Sequence, residues 1–213
     1  GAFIISFPVA GVGNGIAFGP DGYLYATRFY SYPSSDVVRL DVLRGGALEV
    51  FVPGPLDYLL GLTFGPDGNL YVTQNLNPSR SDILRFDGTT GAPMGAFTSG
   101  GNLIAPIDLA FGPDGYLWIG SSSGLVRFDG KRYEVLFSDF ADTSTIGDNV
   151  ITDLVEDQNG NLWLAGFYQG ISKYNTHTGK VKRYPHPIKG TGQAYGLLKV
   201  MKDPEGHIWV GTK

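Results

Sequence analysis

Residues 18–25 read Phe18-Gly19-Pro20-Asp21-Gly22-Tyr23-Leu24-Tyr25, and this stretch decides the fold because the chain repeats it. Close copies occupy residues 64–71 and 111–118, and looser copies occupy residues 156–163 and 202–209. The glycines that close the turn fall at 22, 68, 115, 160 and 206, so the steps between copies are 46, 47, 45 and 46 residues. A fixed period in this range predicts a repeat architecture.

Each repeat predicts four short strands, here called a to d. In the first repeat they are residues 15–18, 23–27, 37–41 and 47–52. The Gly-Pro-Asp-Gly sequence joins strands a and b, because Pro presets φ, Asp bonds its own backbone and the last Gly adopts a positive φ. No apolar period of 3.6 residues extends over ten or more positions, so we expect almost no helix. Four strands in about 46 residues are typical of a β-propeller blade.

The chain is therefore predicted to be one all-β domain, residues 1–213, that forms a β-propeller. Complete blades are expected at 14–58, 59–104, 105–148 and 149–193. Residues 1–13 supply a strand d, and residues 194–213 supply strands a and b. The two ends are expected to share a fifth blade that lacks strand c, or to be parts of a longer propeller of five to eight blades.

Two columns of the repeat predict how neighbouring blades pack. The apolar column on strand a is Ile16, Leu62, Leu109, Leu154 and Val200. The aromatic column on strand b is Tyr25, Tyr71, Trp118, Trp163 and Trp209. Large aromatic side chains dominate such interfaces, so we expect both columns to be core. A third column changes character: Phe18, Phe64 and Phe111 become Glu156 and Lys202, which predicts different packing at the last two turns.

Composition excludes several classes of function. The net charge is −4, so neither a nucleic-acid surface nor an anionic-membrane surface is expected. The chain has no cysteine, which rules out disulfides and thiol chemistry. No apolar run approaches the ~18 residues of a membrane span, so direct membrane insertion by this chain is not expected.

The repeats also resemble known families. Repeats one to three, with the core Leu-x-Phe-Gly-Pro-Asp-Gly-x-Leu-Tyr/Trp, resemble the NHL, virginiamycin B lyase and gluconolactonase-like propeller superfamily. Repeats four and five, with residues 147–157, 160–164 and 170–175, look like the two-component regulator propeller. These resemblances imply a bacterial, extracytoplasmic protein, either secreted or periplasmic. They imply a fold more than a function, because propellers host lyases, hydrolases, sensors and scaffolds.

Candidate catalytic and metal sites are few. The gluconolactonase resemblance implies a divalent metal held by Glu, Asn and Asp in the central channel, for which Asp108 and Asp153 are the candidate acids. The segment 157–161 has the oxygens of a calcium loop but lacks its bidentate Glu, so it is interpreted as a turn. His177, His186 and His207 are interpreted as surface or turn residues. No nucleophile with a histidine partner is evident. We therefore expect no cofactor and no metal, and a protein that is not an enzyme.

The loops between strands b and c share one face with the connections between blades, and we predict the binding surface there. This face is rich in aromatic, amide and arginine side chains, which suit protein, peptide or glycan contacts. The candidate residues are Arg28, Phe29, Tyr30, Tyr32, Gln74, Asn75, Arg80, Phe167, Tyr168 and Gln169. The sequence thus favours a binding or scaffold propeller, with self-association as a further expectation. The alternatives are the ligand-sensing domain of a two-component receptor and a metal-dependent lyase or lactonase.

Overall fold

The computed structural model describes residues 12–31, 34–77, 80–98, 103–184, 199–203 and 205–211. This part of the chain contains strands and turns and no helix. The strands are β1 (Val12–Phe18), β2 (Leu24–Ser31), β3 (Ser34–Leu40), β4 (Glu49–Leu56), β5 (Leu59–Phe64), β6 (Leu70–Asn77), β7 (Arg80–Phe86), β8 (Pro93–Ala96), β9 (Pro106–Phe111), β10 (Leu117–Ser121), β11 (Gly124–Phe128), β12 (Tyr133–Leu136), β13 (Ile151–Glu156), β14 (Asn161–Gly166), β15 (Gly170–Asn175), β16 (Val181–Tyr184), β17 (Lys199–Lys202) and β18 (Ile208–Gly211).

The strands form four antiparallel sheets of four strands each, and strands that follow one another in the chain pair with each other. A fifth, two-stranded sheet contains β17 and β18. The first strands of the sheets, β1, β5, β9, β13 and β17, lie side by side. This arrangement confirms the predicted β-propeller of four-stranded blades, here called blades 1 to 5. The predicted first strand, residues 1–8, lies outside the described residues, and so does the closure of the ring that depends on it.

The five repeated turns have the predicted geometry. Their closing glycines, at 22, 68, 115, 160 and 206, all have φ between +72° and +89°. Residues other than glycine rarely adopt such angles, so these positions favour glycine on conformational grounds alone. The amide of each closing glycine also donates to the carbonyl three residues earlier, as from Gly22 to Gly19 at 3.0 Å.

The core consists of the interfaces between blades. Tyr25 of blade 1 contacts Phe64 of blade 2 edge-to-face, with ring centroids 4.8 Å apart. Tyr71 and Phe111 repeat this contact between blades 2 and 3 at 4.9 Å. In the apolar column, Leu62, Leu109, Leu154 and Val200 are all buried. The prediction that these columns pack between blades is therefore confirmed for the interior of the array.

The same prediction is wrong at the two ends of the array. Ile16 and Phe18 of blade 1 are 61% and 64% exposed, although their equivalents in the inner blades are covered. Trp209 of blade 5 is 59% exposed, and Met201 beside it is also exposed. The physical reason is the position of these residues, since no described blade packs against the outer surface of blade 1 or of blade 5.

The hairpins between strands b and c are also more regular than predicted. Residues 28–36, between predicted strands b and c of the first repeat, are largely paired, because β2 extends to Ser31 and β3 begins at Ser34. The same hairpin of blade 2 is paired likewise, with β6 extending to Asn77 and β7 beginning at Arg80. Cross-strand pairing explains the extension, because Arg28 lies opposite Asp36 in the register. In blade 4 the corresponding residues 167–169 form the expected turn.

Candidate functional site

The candidate site is one face of the propeller, here called the loop face. It consists of the hairpin ends that join β2–β3, β6–β7, β10–β11 and β14–β15, and of the connections between blades. Backbone hydrogen bonds show that these segments meet: Asn75 N donates to Tyr58 O at 3.2 Å, Ser122 N to Ala105 O at 3.2 Å, and Phe167 N to Val150 O at 3.0 Å. The repeated Gly-x-x-Gly turns lie on the opposite face, here called the turn face.

In blade 1, an ion pair fixes the end of the hairpin. The Arg28 guanidinium donates to both carboxylate oxygens of Asp36, at 3.0 and 2.7 Å. The Tyr30 hydroxyl donates to the same carboxylate at 2.9 Å, and the guanidinium lies 4.4 Å from the centre of the Tyr30 ring. Hydrogen bonding to Asp36 raises the pKa of Arg28. The polar atoms are therefore engaged within the protein, whereas the Tyr30 side chain remains 54% exposed.

The remaining candidate residues of blades 1 and 2 are mostly packed against the protein rather than exposed. Phe29 contacts Tyr58 edge-to-face, with ring centroids 5.4 Å apart. Gln74 is buried, so its side chain does not form part of the accessible surface. Asn75 is half-buried and accepts a long hydrogen bond from the Ser81 hydroxyl at 3.5 Å. Tyr32 and the side chain of Arg80 lie outside the described residues.

In blade 4, the buried Asp148 holds the loop that carries Tyr168. One carboxylate oxygen of Asp148 accepts the amides of Tyr168 and Gln169, at 2.5 and 3.1 Å. The other oxygen accepts the amide of Val150 at 3.0 Å. Tyr168 is 57% exposed and contacts the Phe167 ring edge-to-face at 4.7 Å. Sequence reasoning missed Asp148 as a site residue, although it directly precedes the Asn149–Asp153 segment that resembles the two-component regulator propeller.

Sequence reasoning also missed two aromatic residues in the connection between blades 3 and 4. Phe137 and Phe140 are both largely exposed. The connection is held by Arg183, whose guanidinium donates to the carbonyls of Asp139, Asp142 and Thr145 at 2.6–2.8 Å. For Phe140 the available signal was a phenylalanine in the polar connection 138–149, whereas Phe137 was predicted as the last residue of strand d.

Two residues of the loop face have unusual backbone angles. Tyr58 and Ala105 are non-glycine residues with φ of 39° and 46°. They occupy equivalent positions, four residues before Leu62 and Leu109, and both carbonyls accept an amide from the neighbouring hairpin. Such angles cost of order 1 kcal/mol for an L-residue and persist where the surroundings fix them. The connection into each of these blades is therefore held firmly against its hairpin.

The predicted channel acids lie on the inner strands, one residue before the apolar column. The Asp108 carboxylate accepts the amide of Leu154 in the next blade at 3.1 Å. Asp153 accepts the amide of Val200 at 2.7 Å and the Lys199 ammonium at 3.1 Å. Burial, followed by the neighbouring charge of Asp153, raises the pKa of Asp108 well above its ordinary value. Both carboxylates thus connect one blade to the next.

This arrangement does not fit the metal site that the gluconolactonase resemblance implies. Among the described residues, the only group of three or more potential metal ligands is Asp203, Glu205 and His207, on the turn face. Within the part of the chain that the structure describes, the charged group beside Asp108 and Asp153 is the Lys199 ammonium, which repels a cation. Asp203 itself already accepts the Trp209 indole N–H at 2.8 Å and lies 2.9 Å from the His207 ring. His177 and His207 are exposed, as expected, and His186 lies outside the described residues.

A groove of about 230 Å³ lies on the turn side of blade 3. Arg127 crosses it, 3.7 Å from the centre of the Tyr116 ring and 3.3 Å from a carboxylate oxygen of Glu134. It is separate from the loop face, because its lining residues adjoin the turns at residues 112–115 and 129–132.

None of the described residues forms a helix that is long and apolar enough to cross a membrane.

Comparison with solved structures confirms the fold. The extracellular domain of a putative hybrid two-component system from B. thetaiotaomicron is 17% identical, with a TM-score of 0.62, and the match covers 98% of this chain and 26% of that one. A gluconolactonase from Xanthomonas campestris is 17% identical, with a TM-score of 0.70, and the match covers 93% of this chain and 68% of that one. A streptogramin B lyase is 16% identical, with a TM-score of 0.61, over 98% and 78%. The chain thus spans about a quarter of the length of the first of these structures.

Two family models match different parts of the chain, and the two matches meet near the boundary between blades 3 and 4. No curated protein sequence matches significantly. A model of the two-component regulator propeller matches residues 145–168, in blade 4. A model described as a repeat of unknown function (DUF6923) matches residues 9–143, well over half of the chain. The chain is therefore a β-propeller that belongs to the DUF6923 repeat family.

Proposed function

We propose that this protein is an extracytoplasmic binding module that recognises a peptide or glycan ligand on its loop face. The observation that carries the proposal is the display of aromatic side chains there. Tyr30, Phe137, Phe140 and Tyr168 are each more than half exposed. Aromatic residues in such positions supply large contact areas, and they are enriched among the residues that dominate binding energy.

The rigidity of the display supports this proposal. The Tyr30 hydroxyl is fixed by Asp36, and the backbone of Tyr168 is fixed by Asp148. Arg183 holds the connection that carries Phe140 through three carbonyl groups. Immobilising a side chain on binding costs ~0.5–1.5 kcal/mol, so a surface that is already ordered binds with a smaller loss. The buried polar residues of this face therefore act as positioning residues for the aromatic ones.

A second candidate function, ligand sensing in a two-component receptor, also has a specific observation in its favour. The segment that matches the two-component regulator propeller contains both Asp148 and Tyr168. Extracellular domains of two putative hybrid two-component systems share the fold over 98% and 94% of this chain. In this second proposal the ligand also binds to the loop face, and its binding changes the conformation of a larger receptor of which this chain is a part.

The direct test is to apply the purified chain to peptide and oligosaccharide arrays and to measure the strongest binder by calorimetry. We expect Tyr30→Ala with Tyr168→Ala to weaken binding at least tenfold, because each tyrosine loses its ring contact. The matched control is Leu43→Ala, which removes an exposed apolar side chain from the turn between β3 and β4. Wild-type affinity is expected for the control. Absence of binding on both arrays, or an unchanged affinity in the double variant, would contradict the proposal.

A further inference from the structure

The charged side chains of the loop face differ in whether the protein provides a partner for them. Among the described side chains, the cations on or beside this face are Arg28, Arg183 and Lys199. Arg28 pairs with the Asp36 carboxylate. Lys199 pairs with the Asp153 carboxylate, and the Arg183 guanidinium donates to three backbone carbonyls. Each of these cations therefore already has an acceptor within the chain.

Three carboxylates of the same face lack such a partner. Asp57 lies in the connection between blades 1 and 2, and Asp139 and Asp142 lie in the connection between blades 3 and 4. In the described part of the chain, none of the three forms an ion pair. Hydrogen bonds from the hydroxyl and the amide of Ser144 lower the pKa of Asp142, so this group is charged at neutral pH. The loop face therefore carries negative charge that a ligand can neutralise.

Asp139 and Asp142 stand on either side of Phe140, and all three side chains are exposed. One oxygen of Asp139 accepts the amide of Ala141 at 2.9 Å. One oxygen of Asp142 accepts the amide and the hydroxyl of Ser144, at 2.8 and 2.7 Å. These bonds fix both carboxylates, and they leave the second oxygen of each without a described donor. The connection thus presents two positioned acceptors beside an exposed aromatic ring.

The chemistry of this connection suits a basic side chain. A carboxylate accepts hydrogen bonds and does not donate them, whereas an ammonium or a guanidinium donates and does not accept. The face of an aromatic ring also attracts a cation, and the methylene groups of lysine and arginine pack on apolar surface. Phe137 and Phe140 supply such surface in the same connection as Asp139 and Asp142. Rings and carboxylates together therefore match both parts of a lysine or arginine side chain.

We propose that the ligand of the loop face is a basic peptide, with a lysine or arginine that pairs with Asp139 and Asp142 and packs on Phe140. This inference rests on the function proposed above and selects a peptide over a glycan. A neutral glycan brings no positive charge to the two carboxylates, and an acidic glycan is repelled by them. Complementary charge of this kind contributes to specificity and to the rate of association, and salt weakens it.

The test compares matched peptides on the purified chain. The strongest peptide binder from the array is synthesised with lysine, with Nε-acetyl-lysine or with glutamate at each basic position, and affinities are measured by calorimetry. We expect the lysine form to bind about tenfold more tightly than the acetyl-lysine form, because acetylation removes the charge and retains the methylene groups. Raising the salt concentration should narrow this difference, because salt screens charges at an exposed surface.

Variants of the chain locate the effect. Asp139→Asn with Asp142→Asn should abolish most of the preference for lysine over acetyl-lysine. Asparagine retains an oxygen for the local amides, so folding should be unchanged, and circular dichroism checks this. Glu49→Gln with Glu205→Gln is the control, because it removes two exposed carboxylates near the turn face. The control should keep the preference of the wild type.

The outcomes separate this inference from the function on which it rests. If the strongest binder is a glycan or a peptide without basic residues, and Tyr30→Ala with Tyr168→Ala weakens it, the loop face binds a ligand and the inference is wrong. A preference for lysine that survives in the variant of Asp139 and Asp142 would also overturn the inference. Absence of binding on both arrays would contradict the inference and the proposed function together.

Discussion

The turn face and the loop face of this propeller differ in how regular their sequence and structure are. On the turn face, one short sequence returns five times with one backbone geometry, and its carboxylates bond to groups in the same turn or to the aromatic side chain of strand b. On the loop face, the four hairpins differ in length, sequence and exposure, and the polar groups hold aromatic side chains toward solvent. The difference indicates that the repeat maintains the fold on one face, whereas the other face is free to carry a specific function.

Within the turn face, the early and late blades bond the aromatic column by different means. In blades 1 and 2, Asp21 and Asp67 accept the hydroxyls of Tyr25 and Tyr71, at 2.8 and 2.9 Å. Burial, followed by these hydrogen bonds, raises the pKa of each tyrosine to about 12. In blades 4 and 5 the aromatic residue is tryptophan, and its acceptor stands two positions earlier in the turn. There Asp157 and Asp203 accept the indole N–H groups of Trp163 and Trp209, at 2.9 and 2.8 Å.

Blade 3 combines the early turn with the late aromatic residue. Its turn is Gly112-Pro113-Asp114-Gly115, but strand b carries Trp118. Gly112 occupies the position of Asp157 and Asp203, so the indole acceptor of the late blades is missing. Asp114 occupies the position of Asp21 and Asp67, which accept a tyrosine hydroxyl. Both Trp118 Nε1 and Asp114 Oδ2 are buried, and neither has a hydrogen-bond partner among the described residues. The change of turn chemistry therefore falls within blade 3, next to the boundary between the two family matches.

The largest expected effect on stability comes from Asp157→Ala. Asp157 is buried and accepts hydrogen bonds from Trp163 Nε1, from the backbone and side chain of Asn161 and from the amide of Asn159, and it also pairs with Lys173 at 3.3 Å. Removing it leaves buried donors unpaired, so we expect a loss of about 3 kcal/mol in the free energy of unfolding. Urea unfolding measures this loss. Asn159→Ala, an exposed position in the same turn, is the control, and an equal loss in both variants would be evidence against the assigned role.

The loss of unfolding free energy in Asp157→Ala should depend on pH, which tests whether the carboxylate is responsible for it. Burial opposes the charged form of Asp157, but the hydrogen bonds from Trp163 and Asn161 outweigh it and lower its pKa far below the ordinary value. A carboxyl group of this kind stabilises the fold above its unfolded pKa of about 3.9, and the stabilisation is lost as the pH falls through the folded pKa. The difference between wild type and Asp157→Ala should therefore shrink as the pH is lowered below about 4.

A smaller effect distinguishes blades 2 and 3. Asp67→Ala removes the acceptor of the buried Tyr71 hydroxyl, which we expect to cost about 1 kcal/mol. Asp114→Ala removes a carboxylate that accepts only the amide of Tyr116 among the described residues, at 3.1 Å, and we expect a cost below about 0.5 kcal/mol. Asp67 also accepts the Asn69 side-chain amide at 2.7 Å, which Asp114 cannot do because Tyr116 stands at that position, so the comparison is made in an Asn69→Ala background. Equal losses of unfolding free energy in the two variants would show that the hydroxyl of the aromatic residue does not matter.

The inner strands give a predicted change of the opposite sign. Burial and the charge of Asp153 raise the pKa of Asp108, so ionising Asp108 at neutral pH works against the fold. Stability from such a group is complete below the unfolded pKa of about 3.9 and is lost as the pH rises through the folded pKa. Asp108→Asn should therefore stabilise the protein at neutral pH and make no difference near pH 3. Glu205→Gln, at an exposed position of the last turn, is the control in the same unfolding series, and destabilisation by Asp108→Asn at neutral pH would contradict this account.

The sequence predicted the fold well because a repeated pattern reports the same packing several times. The strand positions, the glycine φ angles and the inner apolar column all followed from residues that recur every 45 to 47 positions. The contacts of residues that have no equivalent in the other repeats could not be predicted in this way. The hairpin pairing of Arg28 with Asp36, the burial of Gln74 and the anchoring by Asp148 depend on contacts between segments that no repeat reveals. Phe18 and Trp209 are exposed in the described part of the chain, although the equivalent positions of the inner blades are covered.

The most direct test of the division between the two faces is an NMR titration of the chain with the strongest binder from the arrays. Amide signals of residues 28–31, 57–58, 137–150 and 166–170 should shift on binding, because these segments form the loop face. Signals of the five turns that end at Gly22, Gly68, Gly115, Gly160 and Gly206 should remain unchanged. Shifts concentrated in those turns, or in the groove around Arg127, would contradict the assignment of binding to the loop face.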